Sequence, residues 1–261
     1  MAQTQRLEGR VALVTGGSRG IGRAIALALG AAGAKVVVNY RRDVDAAQEV
    51  VARIGEHGGD ALAVAASVDE PVAVEALAGA ALDRFGAVDL LVHNAGIASR
   101  GLPVAETTPE EVQRVMATHA LAAHRLAGLL LPGIRAAPRG DVILISSSEI
   151  AHMRANGAPY NMAKAALEAL GLTLAKEEAR NGVRVNIVAP GLVATDMGDR
   201  LVKAKLGFGS VAELDARQPF GRVTRPEDVA RVVLFLVGEA GAMVTGQRVV
   251  VDGGADASPT G

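Results

Sequence analysis

The chain has 261 residues, half of them hydrophobic, with a formal net charge of −1 and no cysteine. That length and apolar content suffice for one large core, so a single domain over 1–261 is expected. Balanced charge argues against nucleic acid or anionic lipid as a partner, and the lack of cysteine excludes disulfides, thiolate catalysis and cysteine-ligated metal centres.

Residues 1–10 are polar, and no apolar run approaches the roughly 18 residues of a membrane span, so a cytoplasmic protein without a membrane partner is expected. Strands are predicted at 11–15, 35–40, 61–66, 90–94, 141–146, 183–189 and 248–251. Helices are predicted at 21–32, 44–54, 71–85, 109–131, 159–180 and 226–236. Several of these helices open with proline in the first position, and Gly33 and Gly86 stand where helix ends favour glycine. Short β-branched runs alternating with alanine-rich helical stretches are the signature of parallel βαβ units in an α/β fold. From 191 to 221 the pattern fades, in a stretch holding Lys203, Lys205 and Phe208 that reads as a mobile substrate lid. Residues 255–261 read as a loose tail.

Between the first strand and the first helix lies Gly16-Gly17-Ser18-Arg19-Gly20-Ile21-Gly22. Glycines there permit a tight turn, and a helix N-terminus offers free N–H groups to a pyrophosphate. A dinucleotide is the expected ligand, because strand, glycine loop and helix follow in the required order. NAD-binding versions of such a unit carry an acid near the end of the second strand. Here the segment reads Asn39-Tyr40-Arg41-Arg42. With no carboxylate at that place and with Arg19, Arg41 and Arg42 to meet a 2′-phosphate, NADP(H) is preferred and NAD(H) remains possible. The alternative for Arg41 and Arg42 is a solvated pair at a strand end.

Tyr160 and Lys164 lie four apart and share one face of a helix. An ammonium beside a phenol is expected to lower the phenol's pKa and make it a usable acid or base near neutrality. Ser146-Ser147-Ser148 closes the fifth strand at the edge where open α/β sheets bind ligands, so one of these hydroxyls is a candidate to hold a substrate oxygen.

Over nearly its full length the chain resembles the short-chain dehydrogenase/reductase family. The matching motifs are the glycine loop, Asn94-Ala95-Gly96, Ser147, Tyr160 with Lys164, Pro190-Gly191, and Val251-Asp252-Gly253-Gly254. The resemblance implies a Rossmann-type, doubly wound, seven-stranded parallel sheet with helices on both faces in three layers, commonly assembled as a homotetramer. It selects Ser147, by its interval to Tyr160, as the residue that positions the carbonyl. It implies that Tyr160 donates the proton and that Lys164 binds the ribose and tunes Tyr160. It also implies cofactor contacts from Val68, from Asn94, Ala95 and Gly96, and from Pro190, Gly191, Val193 and Thr195.

Two positions depart from the family pattern. His119 stands where the family has a catalytic asparagine that holds a relay water, and Ser67 stands where it has an aspartate touching the adenine. Neutral imidazole carries one donor and one acceptor, so His119 retains the capacity for such a relay with an added pH dependence. The alternative is a satisfied helix histidine. Ser67 is expected to accept the adenine bond with a small change in affinity. A metal site is not expected, because His119 and His124 project roughly 140° apart on a helix.

The expected activity is an NADP(H)-dependent transfer of hydride between nicotinamide and a carbonyl or alcohol carbon, most simply a ketoreductase. Similarity to 3-oxoacyl-carrier-protein reductases makes 3-oxoacyl thioesters, free or carrier-linked, the first substrate class. Arg135, Arg139 and Arg180 are candidate contacts for an acidic carrier, or else solvated surface groups. An NAD-dependent alcohol or sugar dehydrogenase is a second reading, and a nucleotide-binding redox sensor with weakened catalysis is a third.

Overall fold

Along β1 (Val11–Val14) alternate side chains go to opposite faces of the sheet, Val11 and Leu13 to one apolar cluster, Ala12 and Val14 to the other. The same division splits Val37 from Val36 and Val38 on β2 (Lys35–Tyr40) and Leu91 from Leu90 and Val92 on β4 (Leu90–His93). Because both faces of each strand are buried, these strands read as unbroken apolar runs. The structure is a computed structural model that describes residues 7–255. Residues 1–6, and residues 256–261 of the expected tail, lie outside the described residues.

Seven parallel strands, completed by β3 (Ala61–Ala65), β5 (Gly140–Ile145), β6 (Val183–Pro190) and β7 (Arg248–Val251), are ordered β3-β2-β1-β4-β5-β6-β7. Helices α1 (Gly20–Ala31), α2 (Val44–Glu56) and α8 (Pro226–Val237) cover one face. The other is covered by α3 (Pro71–Phe85), α5 (Ala122–Ala136) and α6 (Ala158–Glu178), with α4 (Pro109–Met116) beside α6. Strand order reverses between β1 and β4, so the connections at their carboxyl ends diverge and leave a crevice.

All seven strands and the predicted helices are present, with ends shifted by one or two residues, except in two regions. The helix expected at 109–131 is interrupted by a π-helical turn, Ala117–Leu121, and then continues through Pro132 to Ala136. Proline removes one backbone bond, yet Leu130 and Ile134 are fully buried on either side of it, and that burial outweighs the loss. The second region is 191–221, which holds α7 (Asp196–Leu206) and a 3₁₀ turn, Val211–Arg217. Its cues were legible but short. Thr195 caps α7 by accepting from the Gly198 amide at 3.1 Å, and Gly207 ends it at φ 73°.

At the amino edge of the sheet, the guanidinium of Arg10 is bonded to Asp89 and, at 2.9 Å, to Asp141. Arg184 reaches Asp141 at 2.8 Å. These four charges tie together the starts of β1, β4, β5 and β6. Burial pushes the Asp141 carboxyl above its usual range, and Arg184 and Arg10 oppose that shift. Removing one member leaves a buried charge unpaired, so Asp141→Leu is expected to cost about 3–5 kcal/mol. Urea unfolding of the variant beside the wild-type chain measures this, and a loss below about 1 kcal/mol would contradict the arrangement.

Candidate active site

The glycine loop is fixed from both flanks. Asn94 Nδ2 donates to the carbonyls of Thr15 and Gly16 at 3.0 and 3.2 Å, and Asn39 Oδ1 accepts from the Gly16 amide at 3.2 Å. Asn39 Nδ2 also donates to Ala66 O at 3.0 Å, so this buried amide ties β2, β3 and the loop together. Gly22 is required by close approach, since a Cβ there would sit 2.2 Å from Gly16 O. Thr15 Oγ1 accepts from the amides of Asn94 and Ala95, both at 2.9 Å. Its proton therefore goes to His93 Nδ1, 3.2 Å away. Burial, with help from Lys164, brings the His93 pKa down to about 4, which keeps the ring neutral and able to accept.

A cleft of about 460 Å³ runs along the carboxyl ends of β1, β2, β4 and β5. At one end it is lined by Ser18, Arg19, Gly20 and Ile21 of the loop and by Tyr40, Arg41 and Arg42 after β2. Arg19 stands at the N-cap of α1 without a side-chain capping bond, and no acid occupies that first turn, so the helix end is open to an anion. Asp43 also borders the cleft, with its carboxylate accepting from the Ala46 amide at 3.1 Å as the cap of α2. Val68 lines the wall as expected, but Ser67 does not: its hydroxyl donates to Asp69 Oδ1 at 2.5 Å, and Asp69 borders the cleft instead. Sequence reading passed over Asp69, although a carboxylate two residues from the expected position was visible.

The other end of the cleft holds Asn94, Ala95, Gly96, Tyr160, Lys164 and Thr195. Ser147 does not line it: its hydroxyl accepts from the Glu149 amide at 3.3 Å and acts on Tyr160 by holding the phenol pKa down. Lys164 Nζ donates to Ile145 O at 2.6 Å and lies 5.8 Å from the centre of the Tyr160 ring. Burial raises the Tyr160 pKa above 10, the Ser147 hydroxyl opposes this, and the nearby Glu149 charge reinforces it. The expected acidification by Lys164 is therefore not what this site displays, because loss of water outweighs the neighbouring hydroxyl. Lys164 is itself brought from 10.5 to about 7 by burial, against the attraction of Glu168.

His119 belongs to the π turn, where one extra residue per turn aims side chains into the cleft. Its ring meets Tyr160 edge-on with centres 5.5 Å apart, and a Cβ on Gly96 would lie 2.6 Å from its Cε1. Nε2 faces both Ile97 O at 2.9 Å and Ile97 N at 3.1 Å, so the tautomer decides which bond forms. Nδ1 is buried without a hydrogen-bond partner among the described residues. Burial and then Lys164 hold the His119 pKa well below 6.5, so the ring is neutral at pH 7 and the expected added pH dependence does not arise there.

Pro190, Gly191 and Val193 do not line the cleft. Val193 is buried and bridges to Thr224, and Gly191 packs so that a Cβ would sit 2.8 Å from Asp252 Cβ. Asp196, Met197 and Arg200 of α7 line it instead, which the sequence reading missed along with the helix. Arg135 is paired with Glu178 and Arg139 with Glu239, while Arg180 lies in the turn Ala179–Asn181 that leads into β6. All three sit at the amino edge of the sheet, at the opposite end from the cleft.

Lys164 carries a pH consequence. Its folded pKa is depressed, so between about 7 and 10.5 the unfolded chain binds more protons and stability rises with pH across that window. Denaturant unfolding at pH 7 and pH 9 is expected to show this rise in the wild-type chain and to lose most of it in Lys164→Met. An equal rise in both proteins would refute the assignment.

A family model described as enoyl-(acyl carrier protein) reductase matches residues 16–256. The 3-oxoacyl-(acyl-carrier-protein) reductase of Synechocystis sp. is 41% identical over 252 residues, 95% of this chain and 97% of that one. Versicolorin reductase of Emericella nidulans is 39% identical over 259 residues, 96% of this chain and 97% of that one. The crystal structure of L-sorbose reductase from Gluconobacter frateurii, complexed with NADPH and L-sorbose, matches with TM-score 0.88 at 33% identity, covering 97% of this chain and 98% of that one. The chain is an oxidoreductase of the short-chain dehydrogenase/reductase family.

Proposed function

We propose that the chain is an NADPH-dependent ketoreductase, working in the cytoplasm as a homotetramer, with 3-oxoacyl thioesters as its first substrate class. The observation that carries the reading is the Ser147–Tyr160 hydroxyl pair beside buried Lys164, at the end of a cleft whose other end holds Arg19, Arg41 and Arg42. The open N-terminus of α1 would hold the pyrophosphate, and the three guanidinium groups would meet the 2′-phosphate. When bound there, the nicotinamide supplies a hydride to the carbonyl carbon.

This chain's residues manage the proton. A phenol whose pKa is raised stays protonated at neutral pH, which is the state a general acid needs to donate to the oxygen of a carbonyl under reduction. Ser147 places that oxygen, and buried Lys164 holds its amine 5.8 Å from the centre of the Tyr160 ring. We assign His119 the family's relay position as a neutral ring, in the tautomer that donates from Nε2 to Ile97 O and leaves Nδ1 to accept from a water. Asn39 lines the cleft and also serves the site by holding the loop.

We read α7 and the 3₁₀ turn as the substrate lid of one domain, held by its own small core of Val202, Val211, Leu214 and Val223. Exposed Leu121 and Leu129 of the π turn and α5, with Met162 and Leu172 of α6, support self-association on that face. No helix among the described residues is long and apolar enough to cross a membrane. Asp43 at the ribose end favours the second reading, an NAD-dependent dehydrogenase.

Two measurements decide. NADPH consumption with acetoacetyl-coenzyme A is expected in the wild-type chain and to fall about 10²- to 10⁴-fold in Tyr160→Phe. Fluorescence titration is expected to give tighter binding of NADPH than of NADH, with Arg41→Ala weakening NADPH about tenfold and sparing NADH. Tighter NADH binding in the wild-type chain would transfer the assignment to the dehydrogenase.

A further inference from the structure

Three consecutive residues close β5, and each is held by a charged side chain from another element. Ile145 O accepts from Lys164 Nζ at 2.6 Å, Ser146 Oγ donates to Glu168 Oε1 at 2.6 Å, and Ser147 O accepts from Arg248 Nη2 at 3.0 Å. Glu168 and Arg248 are themselves paired, Arg248 Nε lying 2.9 and 3.0 Å from the two carboxylate oxygens. Glu168 is one turn beyond Lys164 on α6, and Arg248 opens β7, fixed opposite Ile187 by the sheet register.

Their side chains are only 12% and 27% exposed. Pairing at that depth is poor evidence of a stability role, because desolvation offsets the attraction. What the pair does accomplish is geometric: it clamps the peptide on either side of the Ser147 hydroxyl. We propose that Glu168 and Arg248 are positioning residues for Ser147 and Lys164. The inference rests on the reductase reading of the same site.

The charge environment of Lys164 supports a second part of that role. Facing the ammonium are Tyr160 and Glu168 from α6, His93 from β4 and His119 from the π turn, with Arg248 of β7 behind Glu168. Both histidines are held neutral and the phenol protonated, so Glu168 supplies the negative charge that opposes the effect of burial on Lys164, whose pKa still falls to about 7. Arg248 moderates it by sharing the carboxylate.

The test begins on the cofactor-free chain with lysine carrying ¹³C at Cε, the Lys164 signal being assigned by its loss in Lys164→Arg. In Glu168→Gln, which keeps the size and an acceptor for Ser146 but removes the charge, the Lys164 titration midpoint is expected to fall by about one pH unit. In Arg248→Gln the freed carboxylate is expected to raise it. In Arg248→Lys a single ammonium cannot hold both Glu168 and Ser147 O. NADPH-linked reduction of acetoacetyl-coenzyme A is then expected to lose about tenfold in kcat with KM changed less than about twofold. An unmoved lysine midpoint in folded Glu168→Gln, or in Arg248→Gln if the first variant does not fold, overturns the proposal. Absence of turnover in the wild-type chain would sink the reductase reading while leaving the titration result standing, so the two failures are distinguishable.

Discussion

An ammonium taken out of water must be met by oxygen atoms, and at Lys164 that requirement organises the end of β5. Its 2.6 Å bond to Ile145 O joins α6 to the sheet at the strand's last residue. One residue further Ser146 binds Glu168, and one beyond that Ser147 is held by Arg248. The burial that drives Lys164 to about 7 also raises Tyr160 and depresses His93 and His119. Loss of water thus settles four protonation states at once, each toward the neutral form.

The opposite end of the cleft obeys the converse rule. There the loop N–H groups are left open and the cations exposed, since an anionic ligand needs donors that are not already spent inside the protein. Two asparagines make this possible. Asn94 and Asn39 take up the loop's inward-facing groups, so the glycines hold a tight shape while their outward amides stay available. Lid and lower edge follow the same economy of partners: α7 uses its own cap and core, and the arginines at the amino edge are spent on internal carboxylates.

Much of this was legible in the sequence. β2 and β7 and the helix α3 were bounded as observed, because apolar runs and an N1 proline are local signals. Tyr160 and Lys164 were found together because helical spacing alone puts them on one face. The π turn was not legible, since Ala117 to Leu121 has ordinary helical composition and the extra residue answers to packing around His119 and Gly96. Nor was the role of Asp69, which depends on where the Ser67 hydroxyl turns.

The sequence by itself determined the parallel α/β order, the glycine loop between strand and helix, and the pairing of phenol with amine, because each is fixed by spacing within a few residues. Only the tertiary structure decided the protonation states and the contacts of Glu168 and Arg248, 80 residues apart in the chain. Burial and charge proximity are sums over elements brought together by folding. The direction of the Tyr160 shift therefore came out opposite to the one that the local pair implied.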